Sequence, residues 1–109
     1  MYVTHRQRIV NMETRITHYT DINGIELWKC NGLLHREDGP AIIEPNGALH
    51  WFYKHERHRT DGPAMIRADG REFWFVNGIH VNSFRKFQKL ANVPKEQLAM
   101  LKLRYGKIK

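Results

Sequence analysis

The chain has one cysteine, Cys30, so it cannot form an intrachain disulfide or offer a cysteine-based zinc site. A lone thiol fits a reducing cytosol, and a cytoplasmic location is the expectation. No apolar run approaches the roughly 18 residues of a membrane span. The first residues, with Thr4, His5, Arg6 and Arg8, lack the apolar core of a signal peptide, so no membrane partner is expected. Reaction signatures are missing as well. There is no Gly-rich phosphate loop, no Gly-x-Ser-x-Gly and no His-Glu-x-x-His. The seven histidines are plentiful enough to keep chemistry in view. His50, His55, His58 and His80 could converge, and histidine phosphodiesterase chemistry needs only two with a nearby Lys or Arg. The expectation is nevertheless a non-enzymatic protein without metal or other cofactor.

Acid is scarce at one end. Residues 1–81 hold ten Lys/Arg and ten Asp/Glu, whereas residues 82–109 hold eight bases against Glu96 alone. The net charge of +7 therefore resides in the last quarter, while all seven histidines precede it. At 109 residues the chain reads as one domain: a region at 16–81 and a basic segment at 82–109.

The first region is repetitive. "HREDGPA" at 35–41 returns as "HRTDGPA" at 58–64, 23 positions later. Trp28, Trp51 and Trp74 keep the same spacing, as do Asn23-Gly24, Asn46-Gly47 and Asp69-Gly70. Asn31-Gly32 and Asn77-Gly78 bracket Lys54-His55 at the midpoint. Each unit reads as two short strands and two turns, with Asn-Gly or Asp-Gly as type I′ hairpin turns. Lys54-His55 predicts a wider or strained turn. A meander of antiparallel strands follows, with the three tryptophans in one row on one face. Triplets such as Trp51-Phe52-Tyr53 and Phe73-Trp74-Phe75 must also present rings to the other face. Trp51, Tyr53 and Trp74 are candidates for an aromatic binding surface.

His35, Arg36, Asp38 and His58, Arg59, Asp61 invite two readings. Asp-Gly-Pro is turn chemistry: Asp bonds downstream amides, Gly takes positive φ and Pro fixes its own. The His-Arg pair would brace that corner. The competing reading is a metal or nuclease centre, for which one His and one Asp make a poor ligand set. A corner is repeated at fixed spacing; a reactive centre has no need to be.

The pattern Trp-x-x-Asn-Gly-x-x-His-Arg-x-Asp-Gly-Pro-Ala resembles the "HRxDGPA" variant of MORN-like repeats, over about residues 16–84. Such repeats are common in proteins of bacteriophages, giant viruses and some bacteria. The resemblance implies a scaffold or binding surface. It also implies a phage accessory protein that binds and disables a host or defence protein. Unit three departs from the pattern, with "NGIHVNSF" in place of the corner, and looks like a transition to a cap.

The two ends would cover the open sheet edges. "MYVTHRQRIV" has strand character, and "TRITHY" starts the repeat. "NSFRKFQKLANV" offers Asn82 or Ser83 as an N-cap, with Phe84 and Phe87 at helical spacing. "VPKEQLAMLKLRYGKI" offers Pro94 at a first helical position, Leu98, Leu101 and Tyr105 on one face, and Gly106 as a stop. The fold class is thus mainly β with C-terminal α: a meander of hairpin repeats capped by one or two helices. The outer helix faces carry Arg85, Lys86, Lys89, Lys95, Lys102, Arg104, Lys107 and Lys109. This footprint suits an acidic host protein or complex, or phosphate contacts with nucleic acid. No helix-turn-helix, RNP motif or zinc knuckle supports base readout. The molecule is expected as monomer or homodimer.

Overall fold

The computed structural model of the chain describes residues 7–11, 15–106 and 108, the first stretch by its backbone alone. Within them, strands precede two helices: β1 (Gln7–Asn11), β2 (Ile16–Thr20), β3 (Glu26–Cys30), β4 (Leu33–Leu34), β5 (Ile42–Ile43), β6 (Leu49–His50), β7 (Phe52–Tyr53), β8 (Glu56–Arg57), β9 (Met65–Ile66), β10 (Glu72–Val76), β11 (Ile79–Val81), α1 (Phe84–Ala91) and α2 (Lys95–Tyr105). The architecture is antiparallel β with a C-terminal helical pair, as the repeat and the change of period predict. β1 adds a strand to the edge of β2.

Two turn types alternate. Asn31-Gly32, Lys54-His55 and Asn77-Gly78 each place both residues at positive φ, the signature of a two-residue type I′ hairpin. Lys54 and His55 adopt it at φ 48° and 71° without glycine, so this turn is strained rather than wider. The other series differs from expectation. At Asn23-Gly24, Asn46-Gly47 and Asp69-Gly70 only the glycine is left-handed. Its amide bonds back three residues, to Asp21, Glu44 and Arg67 at 3.0, 2.9 and 2.8 Å. These are three-residue loops built on a type I turn, whose last position alone requires positive φ. Asn46 and Asp69 contribute side chains instead, their Oδ1 accepting the amides of Ala48 and Arg71.

The meander is also less simple than the repeat suggests, because each long strand forks. The start of β3 pairs with β5 and its end with β4. Likewise the start of β10 pairs with β9 and its end with β11. In unit two the fork separates β6, paired with β9, from the β7–β8 hairpin. Tryptophan stands at the fork. The amides of Trp28 and Trp51 donate to Ala41 and Ala64, while their carbonyls accept from His35 and His58. One strand thus serves the next unit and its own return strand at once.

Apolar packing is concentrated at one end. Trp74, Val76, Val81, Phe87, Leu98 and Leu101 form the buried cluster, flanked by Phe84, Ala91, Val93, Tyr105 and Ile108. α1 starts at Ser83, whose Oγ accepts the Lys86 amide, and stops at left-handed Asn92. Pro94 is the N-cap of α2, one position earlier than expected, and Gly106 ends it. Among the described residues no helix is long and apolar enough to cross a membrane.

Replacing Lys54 by Asn, which tolerates positive φ, relieves part of the strain and keeps the His55 Nδ1 that accepts the Leu34 amide. We expect Lys54→Asn to gain up to about 1 kcal/mol, or a melting midpoint higher by roughly 4 °C. Calorimetry checks this; an unchanged midpoint would mean that Lys54 stores no strain.

Candidate functional site

The two corners are built alike, and every repeated letter has a physical task. In the first, Arg36 lays its guanidinium 3.8 Å from the Trp28 ring centroid. Its Nε donates to Asp38 at 2.9 Å and its Nη1 to the Pro40 carbonyl at 3.1 Å. In the second, Arg59 lies 4.1 Å from the Trp51 ring. It donates to Asp61 at 2.7 Å and to the Pro63 carbonyl at 3.0 Å. The Arg36 partnership holds the Asp38 carboxyl below its usual range, first by the hydrogen bond and then by charge attraction. Gly39 and Gly62 have no positive φ, so the expected reason for glycine is corrected. They are needed for clearance. A Cβ at Gly39 would sit 2.9 Å from the Arg36 Cζ, and one at Gly62 would sit 2.6 Å from both the Arg59 Cζ and the Tyr105 hydroxyl.

Histidine joins one unit to the next. His35 Nδ1 accepts the Lys54 amide at 3.0 Å, and His58 Nδ1 accepts the Asn77 amide at 2.9 Å. The tip of each following hairpin is thereby gripped by the corner before it. The same tips bond back through His55 to Leu34 and Gly78 to Arg57. Between the corners runs a groove of about 590 Å³, lined by Arg36, Asp38, Pro40, Trp51, Tyr53 and Asp61 among others. Its guanidiniums already face Asp38 and Asp61, and His58 Nδ1 is occupied by a backbone amide. The corners therefore read as structure, and the groove as the seam between two lids.

The aromatic surface needs correction. Trp74 is fully buried beneath the helices, with Phe84, Phe87 and Tyr105 rings edge-on at 5.6, 5.0 and 5.3 Å. It cannot be part of a binding face. Its Nε1–H is buried with no acceptor among the described residues. Trp51 lies under Arg59, and Tyr53, 39% exposed, packs against His35 and His58. Trp51 and Trp74 do share a side. Arg59 touches Trp51 and reaches the Tyr105 hydroxyl, which belongs to the ring against Trp74. Phe73 and Phe75 flank Trp74 on the strand and so face the other way. There Phe75 meets His80 at 5.3 Å and Arg57 at 5.9 Å, and Phe73 has Arg67 at 5.9 Å and His80 at 6.3 Å.

The histidines named as candidates each have a partner of their own. His50 is held at both ring nitrogens, by Glu44 at 2.6 Å and Arg57 at 2.8 Å. His55 Nδ1 accepts the Leu34 amide, and His18 stacks on Trp28 at 4.0 Å while bonding Glu26. Among the described residues no three His, Cys, Asp or Glu side chains are placed to hold a metal ion.

The helical cap is different in kind. Arg85, Lys86, Lys89, Lys95, Lys102 and Arg104 are all exposed. The ion pairs of the described residues all lie between residues 18 and 71, so none reaches these six cations. Lys107 and Lys109 lie outside the described residues. Phe84 and Phe87 on α1, with Leu98, Leu101 and Tyr105 on α2, turn inward, as their spacing predicts. Gln97 donates to the Thr60 carbonyl at 2.9 Å and ties α2 to the second corner. The sequence reading missed Met100 and Leu103, which face solvent at 67% and 84% exposure. Their position outside the Leu98–Leu101–Tyr105 stripe was the available signal. No family model, curated protein or solved structure matches the chain.

Two expectations follow from the corners. Burial pushes His58 below the ordinary histidine value, with Glu56 pulling the other way. The unfolded chain then binds the proton first. Stability is complete above about pH 6.5 and is lost as pH falls from there toward the folded value. In His58→Asn, Oδ1 can accept the Asn77 amide without titrating, so urea midpoints at pH 7 and pH 5 should differ less than in the wild type. Separately, Gly62→Ala should cost about 2–3 kcal/mol and Gly39→Ala nearer 1, because only the second corner is pinned from above by Tyr105. Equal losses in chemical denaturation would contradict the clearance argument.

Proposed function

We propose that the chain is a MORN-like repeat protein of the phage accessory type, a non-enzymatic interaction protein acting in the host cytoplasm. The repeats are a scaffold, and the cap is its working face. It docks on an acidic surface of a host or defence protein, or of a protein complex, and inhibits by occlusion. The observation that carries this reading is the asymmetry of charge. Residues 1–81 balance ten bases with ten acids, whereas residues 82–109 set eight bases against Glu96, and the six described cap cations have no ion pair. Charges left unpaired on one face raise the encounter rate with a surface of opposite sign.

Nucleic acid is the second reading, since phosphates satisfy the same cations. The burial of Trp74 and the covering of Trp51 weaken it, because a sequence-tolerant single-strand site stacks bases on open rings. Anchoring the tagged protein and passing a bacterial lysate over it, with and without nuclease, separates the two. We expect a captured protein that survives nuclease and is lost when Lys95, Lys102 and Arg104 are changed to Glu. The three sites are exposed, but two acids in the last turn of α2 oppose the helix dipole, so the variant should lose about 1–2 kcal/mol and stay folded, which circular dichroism checks. Capture that disappears with nuclease would favour nucleic acid. Binding to labelled DNA would then fall steeply between low and physiological salt.

A further inference from the structure

We infer that the outer face of α2 seats an acidic amphipathic helix of the partner, an inference that rests on reading the cap as a protein-docking face. Leu98, Leu101 and Tyr105 satisfy the inward side of α2. On the opposite side Ala99, Met100 and Leu103 form a short apolar stripe, with Glu96 on the same face at its N-terminal end. Leu103 is 84% and Met100 67% exposed, and no described residue covers them. Ala99 leaves room between them for a close approach. A groove of about 400 Å³ opens alongside, lined by Asp61, Gln97, Met100, Leu101 and Arg104. By helical spacing Lys95 and Lys102 line one flank of the stripe and Arg104 the other, none of them ion-paired.

An apolar seam between charged flanks is the arrangement by which helices choose helical partners. The sign of the flanks chooses the occupant. A second copy would set Lys95, Lys102 and Arg104 against their own counterparts, with Glu96 alone to offset them, so self-pairing on this face is disfavoured. Nucleic acid would engage the cations and leave Leu103 and Met100 in water. An anionic membrane needs a wider apolar face than one Leu and one Met on an eleven-residue helix interrupted by Glu96. A helix with leucines in a stripe and glutamates beside it satisfies seam and flanks together.

The test is fluorescence anisotropy of the full chain against four probes. They are a labelled helical peptide of Leu, Ala and Glu with leucines in one stripe, the same residues scrambled, single-stranded DNA, and vesicles of phosphatidylserine and phosphatidylcholine. The striped peptide should bind at least about tenfold tighter than the scrambled one. Met100→Ser/Leu103→Ser should erase that preference while leaving circular dichroism and melting unchanged, because both side chains are exposed. Lys95→Glu/Lys102→Glu/Arg104→Glu should weaken both peptides. Equal binding of the two peptides, insensitive to Met100→Ser/Leu103→Ser, would overturn the seat while sparing the acidic-partner reading. Binding of DNA or vesicles alone, or of no probe, would overturn both.

Discussion

A guanidinium laid on an indole is the contact from which the repeat is built. A sheet needs a second layer, and in units one and two no helix of the described residues lays aromatic rings on the tryptophan as α1 and α2 do on Trp74. The corner loop provides it instead. Arg36 and Arg59 bring a flat, weakly hydrated cation over Trp28 and Trp51, worth about 0.5–2 kcal/mol as a cation–π contact according to exposure. The remaining letters make that contact durable. Asp fixes Nε, the proline carbonyl takes Nη1, and glycine removes the Cβ that would displace the plane. Ala41 and Ala64, fully buried, let the loop settle on the fork beneath. Lysine could supply the charge but not the planar fork, so the motif is specific for arginine on geometric grounds.

Unit three shows the same constraint met by other means. The position eight residues after Trp74 is Asn82, where the earlier units have arginine. Trp74 is instead covered by Phe84, Phe87 and Tyr105. The exchange of a wet cationic lid for a dry aromatic one explains the orphaned indole N–H. A repeat residue was retained where the new cover supplies no acceptor. It also explains why the cap does not float free. Tyr105 meets Arg59, and Gln97 meets Thr60, so α2 rests on the last corner as well as on the last tryptophan.

Much of this was legible in the chain. The period of 23, the two turn series and the change to helical spacing at Ser83 are local signals, and local signals survive folding. The reading of His-Arg-x-Asp as a corner followed from its repetition together with the turn chemistry of Asp-Gly-Pro. What could not be read was pairing between segments. The fork at each tryptophan depends on which neighbour takes the amide and which the carbonyl, and a strand's residue pattern is the same either way. The role of Gly39 and Gly62 was misread for a related reason. Glycine beside proline suggests a backbone need, whereas here the need comes from the arginine three residues earlier, whose side chain reaches forward over the glycine. Trp74 was placed on the correct side of the sheet and still misjudged as surface, because the lid that covers it breaks the repeat.

The distribution of packing has a consequence for how the molecule divides its labour. Large buried apolar side chains gather around Trp74, while units one and two rely on small alanines, stacked arginines and histidine staples. Stability in such a ribbon is a sum of neighbour terms, so it should grade downward from the cap toward β2. The steadiest part is then the one that carries the unpaired cations, Met100 and Leu103. On the proposal that this face docks a partner, its rigidity means that little entropy is lost on occupation. The repeats gain their order from that end, through Arg59 on Tyr105 and through each corner's grip on the next hairpin. The inward stripe of α2 therefore completes the fold, which leaves its outward stripe free to meet another molecule.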